Sequence, residues 1–225
     1  MILSIQATND TQTLSAIAQQ VTKLQWQDGR ITAGKVAGQV KVNQQAIMSD
    51  AAGKALQQTL LPLVTENNVL KAASQPRRFS HFLVSKTQDG GHYGAHIDNA
   101  LMGAGEGRMR SDLSFTLFLS DPSNYEGGEL VIQNAGAEQR IKGEAGTMVL
   151  YPSSTIHEVM PVTSGTRTVC VGWIESLIAD GAKRELLFDM ENLRASLRAT
   201  LPAGSAELLT LDKTIANLMR MWAQL

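Results

Sequence analysis

Leu113-Ser114-Phe115-Thr116-Leu117-Phe118-Leu119 is one of a series of short runs with strand character that extends in both directions along this sequence. Turn signals such as Asp89-Gly90-Gly91 and Thr163-Ser164-Gly165 separate the runs. The predicted strands are Phe79 to Ser85, Tyr93 to Asp98, Leu113 to Leu119, Glu129 to Gln133, Gln139 to Lys142, Thr147 to Tyr151, Thr155 to Val162 and Thr166 to Ile174. Short strands with no crossover-length helix between them predict an antiparallel sandwich, jelly roll or barrel.

Helical periodicity precedes this β region. A first helix is predicted to run to about Lys23, and Asp10 and Thr11 offer N-cap oxygens for it. A second helix follows a cap at Ser49 or Asp50. Its apolar positions recur at helical spacing at Leu56, Leu60, Leu61 and Val64. Between the two helices, a strand is predicted around Gln39 to Asn43.

Helical periodicity returns after Ser176, over Ala182 to Leu197 and Ala206 to Ala223. The predicted fold class is therefore mainly β with flanking helices. We expect three regions, namely an N-terminal helical and strand region (1–76), a β core (77–178) and a C-terminal helical extension (179–225). The two C-terminal helices have apolar faces that could form a homodimer, which we state as a hypothesis.

The composition excludes several classes of protein. The chain has 225 residues, 43% of them hydrophobic, with 20 basic and 21 acidic side chains. This near balance predicts no nucleic-acid partner and no anionic membrane surface. Cys170 is the only cysteine, so we expect a buried, inert thiol and no internal disulfide. Met1 to Ile5 lacks the basic start of a signal peptide, and a cytoplasmic protein is expected.

Three side chains form a candidate metal site. His96 and Asp98 are two residues apart in a predicted strand, so they share one face while Ile97 packs on the other. His157 lies in another predicted strand and supplies a third ligand. Two histidines and one carboxylate leave three positions of an octahedron open, which suits iron(II) that also binds a bidentate co-substrate and dioxygen.

Arg167 follows ten residues after His157, beyond the Ser164-Gly165 turn signal. If the two strands form a hairpin, Arg167 lies nearly opposite Pro161, about 13 Å along the strand from His157. An extended arginine side chain and a five-carbon diacid could fill that gap. The guanidinium group is suited to bidentate binding of a distal carboxylate. The register that would place both side chains on one face stays open.

These residues resemble the motif of the Fe(II)/2-oxoglutarate oxygenases. Within that group, the chain resembles the bacterial PKHD-type hydroxylases, relatives of the prolyl 4-hydroxylase catalytic domain. The resemblance extends over nearly the whole chain. It includes Trp26-x-Asp28-Gly29-Arg30, Lys41-Val42-Asn43-Gln44-Gln45, His92 to Asn99, Asp112 to Ser120, Gly127-Gly128-Glu129-Leu130 and Tyr151-Pro152-Ser153-Ser154-x-x-His157.

This resemblance implies a double-stranded β-helix (jelly roll) core and an enzyme, a dioxygenase that hydroxylates an unactivated C–H bond. It implies Fe(II) held by His96, Asp98 and His157, 2-oxoglutarate held by Arg167, and L-ascorbate (vitamin C) as a reductant. 2-Oxoglutarate would be decarboxylated to succinate with dioxygen. The substrate, a small molecule or a peptidyl group, is not defined by the sequence.

Two alternatives stay open. The first is a non-catalytic metal-binding jelly-roll sensor, against which Arg167 argues. The second is a zinc hydrolase with Glu158 as general base, but Glu158 directly follows His157 and is expected on the opposite face.

Other residues near the motif are given lesser roles. His92 is a possible contact, and His81 is expected to be structural. Tyr93 is expected to face away from His96 because of strand alternation. Gly127-Gly128 predicts a tight turn, and the glycine-rich segment Gly103 to Arg110 is either a lid or a plain connection.

Overall fold

The computed structural model describes residues 1–32, 37–134 and 136–224. Within them the chain is rich in short strands. These are β1 (Leu3–Gln6), β2 (Trp26–Asp28), β3 (Lys41–Val42), β4 (Gln44–Ala46), β5 (Pro76–Phe79), β6 (Leu83–Gln88), β7 (His92–His96), β8 (Leu101–Met102), β9 (Met109–Arg110), β10 (Leu113–Phe118), β11 (Tyr125–Gly127), β12 (Leu130–Asn134), β13 (Ala137–Ile141), β14 (Thr147–Pro152), β15 (His157–Val159) and β16 (Val162–Ser176).

The helices flank this region at both ends. They are α1 (Thr11–Val21), α2 (Ala51–Thr65), α3 (Asn68–Ser74), α4 (Gly181–Arg198) and α5 (Ala206–Trp222). Asp10 and Asp50 cap α1 and α2, accepting hydrogen bonds from the backbone N–H groups of Thr13 (2.8 Å) and Gly53 (2.7 Å). Four helices were therefore predicted correctly. The seven residues of α3 were missed, because two turns are too few to establish a helical period.

Two antiparallel sheets make up the β core. The larger has the order β1-β14-β10-β16-β6-β4-β2, and β5 and β11 also pair with β16. The smaller has the order β13-β12-β15-β7-β3, and β8 pairs with β9 in a separate hairpin. This arrangement confirms the predicted antiparallel β core with flanking helices and agrees with a jelly roll.

The long strand β16 divides the interior into two parts. Its side chains alternate between the two faces of the sheet. Cys170 and Ile174 point into the larger hydrophobic core, where the sheet packs on α1, α2 and α3. Arg167, Val169 and Trp173 border a cavity between the two sheets instead. Cys170 is buried, as predicted, and burial raises the pKa of its thiol.

The C-terminal helices form a small core of their own, with Ile178, Leu187, Leu211 and Ile215 at its centre. Arg110 joins this extension to the β8–β9 hairpin, since its guanidinium donates to Oε1 of Gln224 (3.1 Å) and to the carbonyl of Ser176 (3.0 Å). None of the helices in the described ranges combines the length and the apolarity needed to cross a membrane.

Several predicted strand limits were wrong. The predicted strand from Phe79 to Ser85 is interrupted at residues 80–82, between β5 and β6. The strand containing His96 ends at that residue, so Asp98 follows it. The predicted strand from Thr155 to Val162 is also shorter than expected. Only the three residues of β15 and the first residue of β16 belong to a sheet there.

The hairpin considered for the strands of His157 and Arg167 does not form. β15 pairs with β12 and β7, whereas β16 pairs with β5, β6, β10 and β11. Thr163-Ser164-Gly165, interpreted as a turn, lies inside β16, where Gly165 has a φ of +74°. His157 and Arg167 therefore lie in different sheets and reach one cavity from opposite sides.

Candidate functional site

The three predicted metal ligands come together at the edge of the cavity. His96 and His157 lie directly opposite each other in the β7–β15 ladder, and Asp98 follows two residues after His96. Their ligand atoms all lie within 4.8 Å of one another. Nε2 of His157 is 3.7 Å from Oδ2 of Asp98. Among the described residues this is the one group of three or more histidine, cysteine or acidic side chains with a metal-binding arrangement.

The backbone orients both imidazoles. Nδ1 of His96 donates to the carbonyl of Gly94 at 2.8 Å, and Nδ1 of His157 donates to the carbonyl of Thr155 at 3.0 Å. Because a carbonyl only accepts, the proton lies on Nδ1 in each neutral ring. The lone pair of Nε2 is then available to a metal ion.

Two hydroxyl groups fix the carboxylate of Asp98. Oγ of Ser114 donates to Oδ2 of Asp98 at 2.6 Å, and Oγ of Ser153 lies 2.7 Å from Oγ of Ser114. Since Ser114 gives its proton to Asp98, Ser153 donates to Ser114. This chain orients Asp98 through partners outside the group of ligands, an arrangement common around metal sites.

Burial, and to a lesser extent the neighbouring His157, lower the pKa of His96 to about 4. At neutral pH, His96 is therefore the neutral imidazole that metal binding requires.

Tyr93 contacts the site, contrary to the prediction from strand alternation. Its ring stacks on that of His96, with 3.7 Å between the centroids. The ladder pairs His96 with His157 and Tyr93 with Val159, so three steps along β7 match two along β15. This one-residue irregularity reverses the alternation and turns Tyr93 towards the cavity.

Arg167 lies at the other end of the cavity. It is 2% exposed, and its Nε and Nη2 atoms are buried without a hydrogen-bond partner. The hydroxyl group of the neighbouring Tyr125 is also buried without a partner, and the guanidinium lies 5.4 Å from the ring centre of Phe118. No carboxylate of the described residues is within ion-pair distance of Arg167. Burial lowers its pKa, and Tyr125 partly offsets that effect.

The cavity joins these two ends. It has a volume of about 110 Å³ and is bordered by His96, Asp98, His157 and Arg167. At roughly 10–15 Å³ for each water-sized site, this volume accommodates several small groups. A single small molecule could thus contact the metal ligands and the guanidinium together.

The remaining predictions have mixed outcomes. Ile97 does not pack on the far face, since it is 54% exposed and borders the cavity. Nδ1 of His92 donates a hydrogen bond to the carbonyl of Gly90 at 3.3 Å, and His81 is exposed. Neither of them borders the cavity, and Glu158 does not border it either, which leaves a zinc hydrolase without its proposed base.

Sequence reasoning missed several residues of the cavity. They are Lys41, Tyr93, Ser114, Ser153, Tyr125 and Trp173, some of which border it and some of which support those that do. Lys41, Tyr93, Ser114 and Ser153 lie within motifs of the resemblance, which were the one available signal for them. Tyr125 and Trp173 lie outside these motifs, and their positions depend on strand pairings that the sequence does not specify.

Known proteins match this chain over both the β core and the C-terminal extension. Residues 81–175 match the 2OG-Fe(II) oxygenase superfamily, and residues 181–224 match the PKHD-type hydroxylase C-terminal domain. A PKHD-type hydroxylase from Hyphomonas neptunium is 49% identical over 212 residues, which cover 94% of this chain and 95% of that protein. The PKHD-type hydroxylase YbiX from Escherichia coli is 40% identical over 226 residues and 100% of both chains.

Solved structures agree in fold. A prolyl hydroxylase from Trichoplax adhaerens, in complex with a hypoxia inducible factor peptide fragment, is 18% identical with a TM-score of 0.56, over 82% of this chain and 86% of that one. The carbocyclase SnoK from nogalamycin biosynthesis is 12% identical with a TM-score of 0.56, over 79% of this chain and 80% of that one. At these identities the likeness concerns the fold alone.

The fold, the group of side chains that could hold a metal ion and the matches define a 2OG-Fe(II) oxygenase, an enzyme class that uses iron(II), 2-oxoglutarate and dioxygen on a small-molecule or peptide substrate. Within this class, the chain belongs to the family of PKHD-type hydroxylases. The family and the fold predicted from the sequence are both confirmed.

Proposed function

We propose that this hydroxylase binds Fe(II) through His96, Asp98 and His157, and that Arg167 binds the distal carboxylate of 2-oxoglutarate. The observation that carries the proposal is the shared cavity. It has two imidazoles and one carboxylate at one end and a buried guanidinium with unsatisfied donors at the other.

The donor set fits iron(II). Two imidazole nitrogens and one carboxylate oxygen form the set found in the facial triad of non-haem iron oxygenases. The hydrogen bonds from Nδ1 leave Nε2 of His96 and His157 as the donor atoms. Such a triad leaves room for both a bidentate co-substrate and dioxygen.

The end of the cavity at Arg167 is suited to bind a carboxylate. Nε and Nη2 of Arg167 and the hydroxyl of Tyr125 are three buried donors without acceptors in the described part of the chain. A buried charge without an ionic or hydrogen-bonded partner is costly, so an anion that accepts these bonds would be strongly favoured. The fork of Arg167 can donate two parallel bonds to one carboxylate.

When bound, iron(II) supplies the redox chemistry that splits dioxygen, with one oxygen atom entering the substrate C–H bond and the other entering succinate as 2-oxoglutarate loses carbon dioxide. The chain's own residues orient and shield the reactants. Tyr93 holds the ring of His96 by stacking, and Ser114 holds Asp98. Leu130 and Val169 form apolar lining that limits the entry of water.

We also propose L-ascorbate as a reductant, by analogy with the family. We propose a cytoplasmic location, with no nucleic-acid or membrane partner. The chain is divided in this proposal into the regions 1–76, 77–178 and 179–225. We also propose a homodimer formed by the C-terminal helices. Leu186, Leu193, Leu209 and Met221 are 48%, 50%, 58% and 67% exposed there, which supports an apolar contact. A monomeric mass by light scattering would remove the homodimer.

The test measures succinate formation from 2-oxoglutarate in air, with Fe(II) and ascorbate present and no added substrate. We expect slow succinate release by the wild type and none by Asp98→Ala, with Asp121→Ala, an exposed site, as control. A folded, iron-bound wild type that forms no succinate would favour a metal-binding sensor instead.

A further inference from the structure

Trp173 carries a buried hydrogen-bond donor that the described part of the chain leaves without a partner. The residue lies in β16 and borders the cavity, and its Nε1 atom is buried with no hydrogen-bond partner. An indole N–H can only donate, so it requires an acceptor atom. A buried donor without an acceptor is costly, and a molecule that brings an acceptor into the cavity is therefore favoured.

The backbone of Trp173 is held on both sides. Its N–H donates to Oγ of Ser80 at 3.0 Å, and its carbonyl accepts from the N–H of Ser80 at 2.9 Å. The preceding Gly172 packs closely on Phe115, since a Cβ atom there would lie 2.7 Å from Cε1 of that ring. The packing of the larger sheet therefore fixes the point from which the indole extends.

Trp173 lies beside the proposed metal site. It is directly opposite Ser114 in the β10–β16 ladder, and paired residues of neighbouring strands project from the same face of a sheet. Oγ of Ser114 in turn donates to Oδ2 of Asp98. One residue therefore separates Trp173 from a proposed metal ligand, and a molecule bonded to the indole lies next to the place of oxidation.

The co-substrate is anchored elsewhere in the proposed function. Arg167 and Trp173 border the cavity from the same face of β16, six residues apart, which is roughly 20 Å of extended strand. 2-Oxoglutarate bound at Arg167 uses one carboxylate there, and bidentate binding to the metal ion uses its keto group and its other carboxylate. We therefore assign the indole donor to the primary substrate.

The lining next to Trp173 is apolar. Val171 lies two residues earlier on the same face of β16, and it pairs with Leu83 of β6, which also borders the cavity. Ile97, next to Asp98, borders the cavity as well. One neutral donor in apolar surroundings matches a neutral carbonyl oxygen, whereas a carboxylate loses more hydration than one N–H bond restores.

We propose that Trp173 binds the primary substrate through its indole N–H, and that the substrate carries a neutral carbonyl oxygen attached to an apolar group. The inference rests on the proposed function, because it takes the Arg167 end of the cavity for 2-oxoglutarate. The volume of about 110 Å³ limits the enclosed part of the substrate to a small group. With its oxygen held at the indole, that group lies against Val171 and Leu83.

The test uses protein whose indole nitrogens carry the NMR-active isotope, loaded with 2-oxoglutarate and with Zn(II), which has no redox chemistry. Trp26, Trp173 and Trp222 each give an indole N–H signal, and the signal missing in Trp173→Phe belongs to Trp173. The probes are cyclopentanone and pentanamide, with pentanoate as the charged counterpart of the amide. We expect at least one neutral probe to shift the Trp173 signal downfield until it saturates, because a hydrogen bond deshields the proton. Pentanoate should bind at least about tenfold more weakly than pentanamide.

Substitutions then assign the effect to the indole. Trp173→Phe removes the donor but retains an aromatic ring, and it should weaken the bound probe about threefold to tenfold. Trp26→Phe, which changes a ring stacked with Lys86 away from the cavity, is the matched control. The affinity for 2-oxoglutarate should change less than about threefold in Trp173→Phe. Unchanged signals of Trp26 and Trp222 in that variant verify its fold.

Three results would overturn the inference. Equal binding of the probe to the wild type and to Trp173→Phe would remove the role of the indole. Pentanoate that binds as well as pentanamide, or the failure of both neutral probes to bind, would remove the substrate class. A loss of 2-oxoglutarate affinity in Trp173→Phe equal to that in Arg167→Met would assign the indole to the co-substrate. Failure of the wild type itself to bind 2-oxoglutarate is a separate result, which removes the proposed function together with this inference.

Discussion

Oγ of Ser114 donates a 2.6 Å hydrogen bond to Oδ2 of Asp98, and this bond joins the two sheets at the candidate metal site. Ser114 lies in β10 of the larger sheet, whereas Asp98 follows β7 of the smaller one. The position of the carboxylate therefore depends on the packing of the sheets as well as on its own strand.

Ser114→Ala should weaken metal binding about tenfold to a hundredfold, as losses of such supporting hydrogen bonds commonly do. The fold should persist, because the change removes one hydroxyl group from a side chain within the β core. Competition with a metal chelator measures the affinity. Ser164→Ala, at an exposed position of β16, is the control, and equal affinities in the two variants would contradict the role of Ser114.

Gly128→Ala should displace Arg167. Gly128 has a φ of +70°, and a Cβ atom there would lie 2.9 Å from Cδ of Arg167 and 2.8 Å from Cγ2 of Val162. We expect weaker 2-oxoglutarate binding and a loss of stability greater than the approximately 1–2 kcal/mol of left-handed strain alone. Calorimetric titration and denaturant unfolding measure the two effects.

Gly90→Ala is a control that introduces the backbone strain of a left-handed alanine without a steric contact to Arg167. Gly90 has a φ of +76°, but nothing lies within 4 Å of its Cβ position. It should lose stability and retain full affinity for 2-oxoglutarate. If both variants bind equally well, contact with Gly128 does not position Arg167.

Arg110→Met should loosen the C-terminal extension. The side chain donates to Asp112 (2.6 Å), to Gln224 and to the carbonyl of Ser176, and it is about one-third exposed. We expect the free energy of unfolding to fall by about 1–3 kcal/mol, since Asp112 loses a charged partner while largely buried. Arg140→Met, which breaks only an exposed pair with Glu138, should change stability by about 0.5 kcal/mol or less. Similar losses in both variants would contradict this role.

Lys41 should make the stability of the metal-free protein depend on pH. Burial lowers its pKa to about 8, from 10.5 for an exposed lysine. Between these values the unfolded chain binds more protons than the folded one, so the contribution of Lys41 to stability rises with pH. The stability of the wild type relative to Lys41→Met should therefore rise between pH 8 and 10.5. A difference that is constant with pH would contradict the shift.

The sequence predicted the parts of this molecule that depend on local pattern. Asp10 and Asp50 cap helices as their residue types suggest, and His96, Asp98 and His157 meet because two strand ends carry them to one place. These features need only residue type, periodicity and spacing.

The errors arose where pairing between strands decides the geometry. One irregular step between β7 and β15 turns Tyr93 towards the cavity, and a continuous β16 through Gly165 removes the expected hairpin. Lys41 and Trp173 reach the cavity from strands distant in sequence. No local signal specifies such contacts, because a shift of one residue in register exchanges the two faces of a strand.

The most direct test of the proposed site is an anaerobic titration of Fe(II)-loaded protein with 2-oxoglutarate, in which binding is followed by the visible charge-transfer band of the iron-bound co-substrate. We expect a band in the wild type, an affinity at least about tenfold lower in Arg167→Met, and no band in His157→Ala. Arg220→Met, at an exposed position of α5, should behave like the wild type. No band in folded, iron-bound wild type, or full affinity in Arg167→Met, would contradict the proposed site.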